Sequence, residues 1–489
     1  MLLTKSKFLT GLKCPRCFWK VMHEKTTDEI SVQEEQNIKQ GIQVGELAKK
    51  LFKNGIDLSN SDFKSNIKAT QDCLFLNYVL FEAGIQVDNL YARMDILIPN
   101  ADESYNIVEV KSSTSVKDEH IFDVAFQKYV CEKSGVNINR CYILHINNSY
   151  IKQGELKLEQ LFIKEDITDQ VEEFYPNVPA LIEELINIYN LPEVPEVNAN
   201  RYLFNEYPCE FDSDCWSFLP KYNVSKIYRI NKSKVAGLFR DNIFEIKNVP
   251  NDILNDKQII QKESIINNKV YINRKKIRDF ISELKYPLYY LDFETFSEAI
   301  PRFDESKSYM QVPFQYSLHV QYKDGRLEHY EFLHKNKTDP RKSILISMVE
   351  VLGDEGSIIV FNQSFEKSRL KELSRLYSQY DYYVNSILER IVDLLVPFSN
   401  FNYYNPVQNG SCSIKKVLPA VTGKSYEGME IANGGDASTL YFKATFEDGF
   451  SVKEKEEVYS NLLKYCKLDT EGMVWIIDEL KKLVVNQEK

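Results

Sequence analysis

Leu288-Tyr289-Tyr290-Leu291-Asp292-Phe293-Glu294 is the stretch whose reading decides the fold of the C-terminal third. Its run of apolar and aromatic residues has the pattern of a strand buried inside a sheet, broken only by two carboxylates. Side chains alternate along a strand, so Asp292 and Glu294 fall on one face. Two carboxylates held side by side repel, and burial makes both harder to ionise. A divalent cation between them relieves both costs, which is how two-metal phosphoryl-transfer sites are built.

Working outward, Ser357-Ile358-Ile359-Val360-Phe361 reads as a second short strand, with Asn362 as the cap of a following helix. Glu366 then lies in the first turn of that helix, aimed back at the strand end, and Asp393 in "RIVDLLVPF" is a spare carboxylate for the same role. The terminal helix carries a stripe at Val458, Leu462, Tyr465, Asp469, Met473, Ile476 and Leu480. An aspartate inside an apolar stripe is expensive to bury alone, and a metal accounts for it.

These three stations resemble the DEDD exonucleases, an RNase H-like fold with Asp-x-Glu on the first strand, an acidic residue after an Asn-x-x-Phe-like turn, and Tyr-x-x-x-Asp on a late helix. Here they read Asp292/Glu294, Glu366 and Tyr465/Asp469. The resemblance implies the DEDDy subgroup, a 3′→5′ exonuclease in which the phenol of Tyr465 positions the attacking water and Asp292, Glu294, Glu366 and Asp469 hold Mg²⁺ or Mn²⁺. The sequence departs from the family in having Glu366 where most members have Asp.

Toward the N-terminus, residues 36–53 read as an amphipathic helix through Ile38, Gly41, Ile42, Gly45, Ala48 and Leu51, its glycines suggesting close backbone packing. "LYARMDILI" (90–98) alternates as a strand presenting Asp95, and "NIVEVKSS" (106–113) as a second placing Glu109 and Lys111 on one face. A helix with Phe122, Ala125, Phe126, Tyr129 and Val130 inward follows, and Gln127 lies on it. Carboxylates on adjacent strands with a lysine beside them suit metal-assisted phosphodiester hydrolysis; a surface salt bridge is the plain alternative. The pattern Asp95, Glu109-x-Lys111, Gln127-x-Tyr129 resembles the RecB-like PD-(D/E)XK nucleases, including the CRISPR-associated iron-sulfur exonucleases. In many of these a metal-binding histidine stands where this chain has Gly45.

Cys14-Pro-Arg-Cys17 opens this half, and Cys209 and Cys215 close it in "YPCEFDSDCW". Four thiolates in two distant pairs suit a 4Fe-4S iron-sulfur cluster or Zn²⁺ equally on spacing. The resemblance favours iron-sulfur, although such nucleases use one N-terminal and three C-terminal cysteines, and Phe204 stands near where the third is expected.

The expected fold class is therefore α/β with three parts. Residues 1–222 form a PD-(D/E)XK restriction-endonuclease-like domain with the cysteine cluster, and 284–489 an RNase H-like DEDD exonuclease domain. Between them 223–283 read as a helical linker whose "AGLFRDNIFEIKNVP" resembles a helix-hairpin-helix element. A length of 489 residues calls for two or more domains, and a formal charge of −10 argues against coating nucleic acid through bulk charge. The N-terminus is too polar for a signal peptide and no apolar run spans a bilayer, so a cytoplasmic nuclease acting on DNA or RNA, single-stranded or with free 3′ ends, is expected. The alternative of another class is a nucleic-acid-binding or assembly protein with a degenerate N-terminal nuclease fold and a structural metal cluster.

Overall fold

The computed structural model describes residues 1–24, 31–59, 62–74, 76–196 and 215–485. The architecture is mixed α/β, and the chain divides into two units, Met1–Ser217 with Glu298–Met310, and Phe218–Ser297 with Gln311–Lys489.

In the first unit the strands are β1 (Leu3–Thr4), β2 (Ile56–Asp57), β3 (Leu80–Val87), β4 (Leu90–Pro99), β5 (Tyr105–Lys111), β6 (Ile138–Ile146) and β7 (Phe162–Asp166). Their order is β2-β3-β4-β5-β6-β7, with β1 parallel to β4. β3, β4 and β5 run antiparallel in turn, and β6 is parallel to β5. Alternation places Met94 and Ile107 in a core with Val124, Phe126 and Val130 of helix Asp118–Lys133. Ile96 and Val108 turn to the other face, where Val44 and Ala48 of helix Val32–Lys49 cover them. That second helix differs from the expected 36–53 in more than its ends. Ile38 and Ile42 are exposed, and a Cβ on Gly41 or Gly45 would meet nothing within 4 Å, so these glycines border open space instead of a close packing contact.

The second unit contains β8 (Tyr271–Ile272), β9 (Leu288–Phe296), β10 (Val312–Gln321), β11 (Leu327–Leu333), β12 (Ser357–Val360), β13 (Ile391–Asp393) and β14 (Tyr403–Tyr404). Its five-stranded sheet has the order β11-β10-β9-β12-β13, antiparallel through β11, β10 and β9 and parallel through β9, β12 and β13. β9 is the central strand, which is why its sequence is almost continuously apolar. Tyr289, Leu291 and Phe293 face a core shared with helices Arg341–Val351, Gln363–Leu376 and Asp381–Arg390. The long helix Val452–Val485 packs against β9 and β10. The segment 223–283 is built into this unit: β8 pairs with β14, and Tyr228 joins Phe401 and Tyr404 in a small core. Among the described residues no helix is long and apolar enough to cross a membrane.

Candidate functional site

Asp292 and Glu294 sit on the face of β9 opposite its core residues, with Ser317 and Gln315 of β10 beside them in register. Polar bonds pin the terminal helix against this face. Thr470 Oγ1 is 2.7 Å from Ser317 Oγ and 2.8 Å from His319 Nδ1, and the Gln315 amide donates to Leu462 O at 2.9 Å. Burial lowers the His319 pKa to about 3, so the ring is a neutral partner. This register brings Tyr465, Cys466 and Asp469, all buried, toward the strand.

One ligand atom each from Asp292, Glu294 and Cys466 lies within 4.8 Å of the other two. Glu366 enters from the first turn of its helix, 2 % exposed, and its Oε2 is buried with no hydrogen-bond partner. The turn that delivers it is unusual. Asn362 occupies the cap position in the left-handed region, φ 81°, but its side chain makes no cap bond. Asp393 does that work: its carboxylate accepts from the N–H groups of Asn362 at 3.0 Å and Gln363 at 3.2 Å. Asp393 is thus occupied in holding the turn, and Glu366 is the carboxylate with an oxygen left unbonded.

The electrostatics are those of a self-repelling cluster. Burial, then the charges of Asp469, Glu294 and Glu366, push Asp292 well above the ordinary carboxylate range. Burial and Asp469 do the same to Glu294, with Lys415 opposing. Burial raises Asp469 to about 7 against the Tyr426 hydrogen bond and Lys415, and raises Glu366 to about 8 with help from Asp393. Burial and the neighbouring carboxylates also hold the Tyr465 phenol firmly protonated. The donor set and the orphaned Glu366 oxygen fit a divalent cation.

A pH dependence follows. Asp469 and Glu366 keep protons in the fold that the unfolded chain, with ordinary values near 3.8 and 4.5, gives up. The folded state binds more protons between those limits, so without metal the second unit should lose stability as pH rises from about 4 to about 8. Hydrogen exchange along helix Val452–Val485 in chelator should show protection falling over that window, and added Mn²⁺ should flatten the slope. Protection that rises with pH would rule this out.

The first unit gathers a second set. Glu109, 1 % exposed, accepts Lys5 Nζ at 2.8 Å and Lys111 Nζ at 2.7 Å on Oε1, and Gln127 Nε2 at 2.9 Å on Oε2. Asp123 accepts Lys111 Nζ at 2.7 Å and Gln127 Nε2 at 2.9 Å. Asp95 accepts the Val110 N–H at 2.8 Å and lies 3.9 Å from Lys5 Nζ. Burial and Glu109 raise Asp95 to about 7, while Lys111 and Lys5 hold Glu109 below the usual range against burial. A cavity of about 380 Å³ is lined by Lys5, Asp95, Glu109 and Lys111 together with Gly41, Gly45 and Lys49.

Cys14 caps helix Pro15–His23, and its Sγ lies 3.4 Å from the Cys17 N–H. Cys14, Cys17 and Cys215 are buried, the first two at a helix start instead of in an open loop. Cys209 and Phe204 lie outside the described residues.

Sequence patterning missed Lys5, Asp123, Lys415, Tyr426 and Cys466. Cys466 left a signal: it stands three residues before Asp469 and so shares its helix face. Lys415, on helix Ile414–Thr422, and Tyr426, in the loop after it, left none.

Residues 289–413 match a family model described as Domain of unknown function (DUF2779). That match takes in Asp292, Glu294, Glu366 and Asp393, and ends before Lys415 and the terminal helix. The chain is similar to Uncharacterized protein MG366 of Mycoplasma genitalium, 25% identical over 410 residues, 73% of this chain and 61% of the relative. It is also similar to Uncharacterized protein UU173 of Ureaplasma parvum, 25% identical over 374 residues, 68% of this chain and 53% of the relative. The chain thus spans less than two thirds of the length of these relatives. Among solved structures, the crystal structure of SSO0001 aligns at 16% identity and a TM-score of 0.19, over 44% of this chain and 97% of that one, too low for any structural argument.

Proposed function

We propose that the second unit is a metal-dependent 3′→5′ exonuclease domain of the RNase H-like DEDDy type, and that the first is a RecB-like PD-(D/E)XK nuclease domain. The substrate is DNA or RNA with a free 3′ end, met in the cytoplasm. The observation that supports this best is Glu366: a buried carboxylate with an unbonded oxygen, close enough to Asp292 on β9 for its charge to raise that group. A divalent cation of the Mg²⁺ or Mn²⁺ kind, held by Asp292, Glu294, Glu366 and Asp469, supplies charge neutralisation and an activated water.

The chain's own groups do the remaining work. The protonated phenol of Tyr465 donates to the attacking water and sets its direction. Tyr426 donates to Asp469 and fixes which of its oxygens faces inward. Lys415 stacks its charge over the Tyr426 and Tyr465 rings, 5.9 and 5.4 Å from their centroids, and offsets part of the acidic charge. In the first unit Lys111, held between Glu109 and Asp123, is placed to orient a water or phosphate oxygen beside Asp95. Cys14, Cys17, Cys209 and Cys215 are assigned to an iron-sulfur cluster, with zinc as the alternative.

One observation favours a second reading for the first unit, a degenerate nuclease fold that binds nucleic acid without cutting it. Lys5 already occupies Glu109, and Gly45 offers no ligand to the cavity. Incubation of 5′-labelled single-stranded DNA and RNA with the full chain in Mn²⁺ or in chelator separates the two. The proposal expects metal-dependent shortening from the 3′ end together with cutting that Lys111→Ala removes; cutting indifferent to Lys111 leaves the first unit a binding module, and no shortening at all overturns the exonuclease reading.

A further inference from the structure

One side chain in contact with the carboxylates on β9 has no part in the chemistry above. Cys466 is fully buried, and its thiol donates to Asp292 Oδ2 at 3.7 Å and lies 3.9 Å from Asp292 O. A sulfur and an oxygen bound to one tetrahedral ion, with bonds of roughly 2.3 and 2.1 Å, stand about 3.6 Å apart. The observed 3.7 Å therefore already has the span of two ligands on one centre. Glu294 completes a set of three ligand atoms no more than 4.8 Å apart. Independently, Glu366, near enough for its charge to act on Asp292, has a buried Oε2 with no hydrogen-bond partner.

We propose that the Cys466 thiolate is a third protein ligand at the Asp292–Glu294 centre, and that the centre therefore selects a zinc-, cobalt- or iron(II)-class ion over magnesium. This rests on the metal-centre reading of the second unit and departs from it in one respect, replacing a magnesium-kind ion at the Asp292–Glu294 position by one of the borderline class. Hard oxygen donors alone suit magnesium, whereas one thiolate shifts a site toward borderline and soft ions. On binding, the S–H bond breaks, its proton leaves to solvent and a metal–sulfur bond replaces it. Cys466 is then a specificity-determining residue, fixed by its position one step beyond Tyr465 and three before Asp469 on the helix.

Cobalt(II) added to the full chain reads the two parts separately, because its visible bands report any binding and a near-ultraviolet charge-transfer band reports sulfur. Spectra of the wild type, Cys466→Ser and Asp292→Asn are compared, so that absorption from the other cysteines cancels. The expected result is a sulfur band lost in both variants and visible bands lost only in Asp292→Asn. The preference of bound cobalt for displacement by Zn²⁺ over Mg²⁺ should also fall at least tenfold in Cys466→Ser. Identical sulfur bands in wild type and Cys466→Ser would overturn the proposal while leaving the carboxylate centre standing. Visible bands indifferent to Asp292 would instead remove the centre itself. Cys466→Ala, an apolar filler of similar volume, replaces the serine variant if that one does not fold.

Discussion

Asp292→Asn is expected to slow metal-dependent 3′-end trimming about a thousandfold, equivalent to roughly 4 kcal/mol of lost transition-state stabilisation, while making the metal-free protein harder to unfold. The two effects share a cause. Asp292 lies among Glu294, Glu366 and Asp469, and every one of these charges raises the cost of its ionisation. An amide of the same shape removes that repulsion and keeps the packing against Cys466 and β10. It also removes a ligand and the charge that draws a cation in. A site whose groups are arranged for a cation should be strained without one, so function and metal-free stability are set against each other here. Gel-resolved digestion of a labelled strand in Mn²⁺, with thermal melts in chelator, checks both halves. A variant that trims within tenfold of wild type, or that melts below it in chelator, would refute this account of the cluster.

That tension explains which parts of the molecule the sequence made legible. β9 was readable because a central strand has to be apolar on both faces, and two carboxylates in such a run have few explanations. Asp469 was readable for the same reason on a helix stripe. Glu366 was placed correctly in its first turn, but the device that puts it there was not. The sequence suggests a side-chain cap at Asn362, whereas the chain bends through a left-handed conformation that Asp393 secures from a strand about thirty residues away. Contacts of that range have no periodic signature. Lys415 and Tyr426 were invisible for the same reason, since only tertiary packing brings helix Ile414–Thr422 and the loop after it to Asp469. In the first unit the strands and the Asp95, Glu109 and Lys111 positions were legible from alternation. The glycines misled, because a glycine facing a void and one packed against a backbone look alike in sequence.

The first unit yields the largest expected loss of stability. Glu109 is buried and takes three donors, two of them lysine ammonium groups. Glu109→Gln keeps the volume but removes the charge that both lysines answer. Lys111 retains Asp123 at 2.7 Å, whereas Lys5 is left with Asp95 at 3.9 Å. The new amide nitrogen also confronts lysine or Gln127 donors that need an acceptor. Removing one member of a buried ionic network costs about 3–5 kcal/mol, and the partial exposure of both lysines places this case near 3. For a unit of this size that is a fall of roughly 6–12 °C in melting temperature, measurable by calorimetry on the full chain. The wild-type contribution also has a pH signature: Glu109 is held below its ordinary value, so its stabilisation is present above about pH 4.5 and fades as acid protonates it. The gap between wild type and Glu109→Gln should accordingly close on acidification. A gap under 1 kcal/mol at neutral pH would mean that solvent, not Glu109, compensates these lysines, and that Lys5 is free to yield its place to a cation.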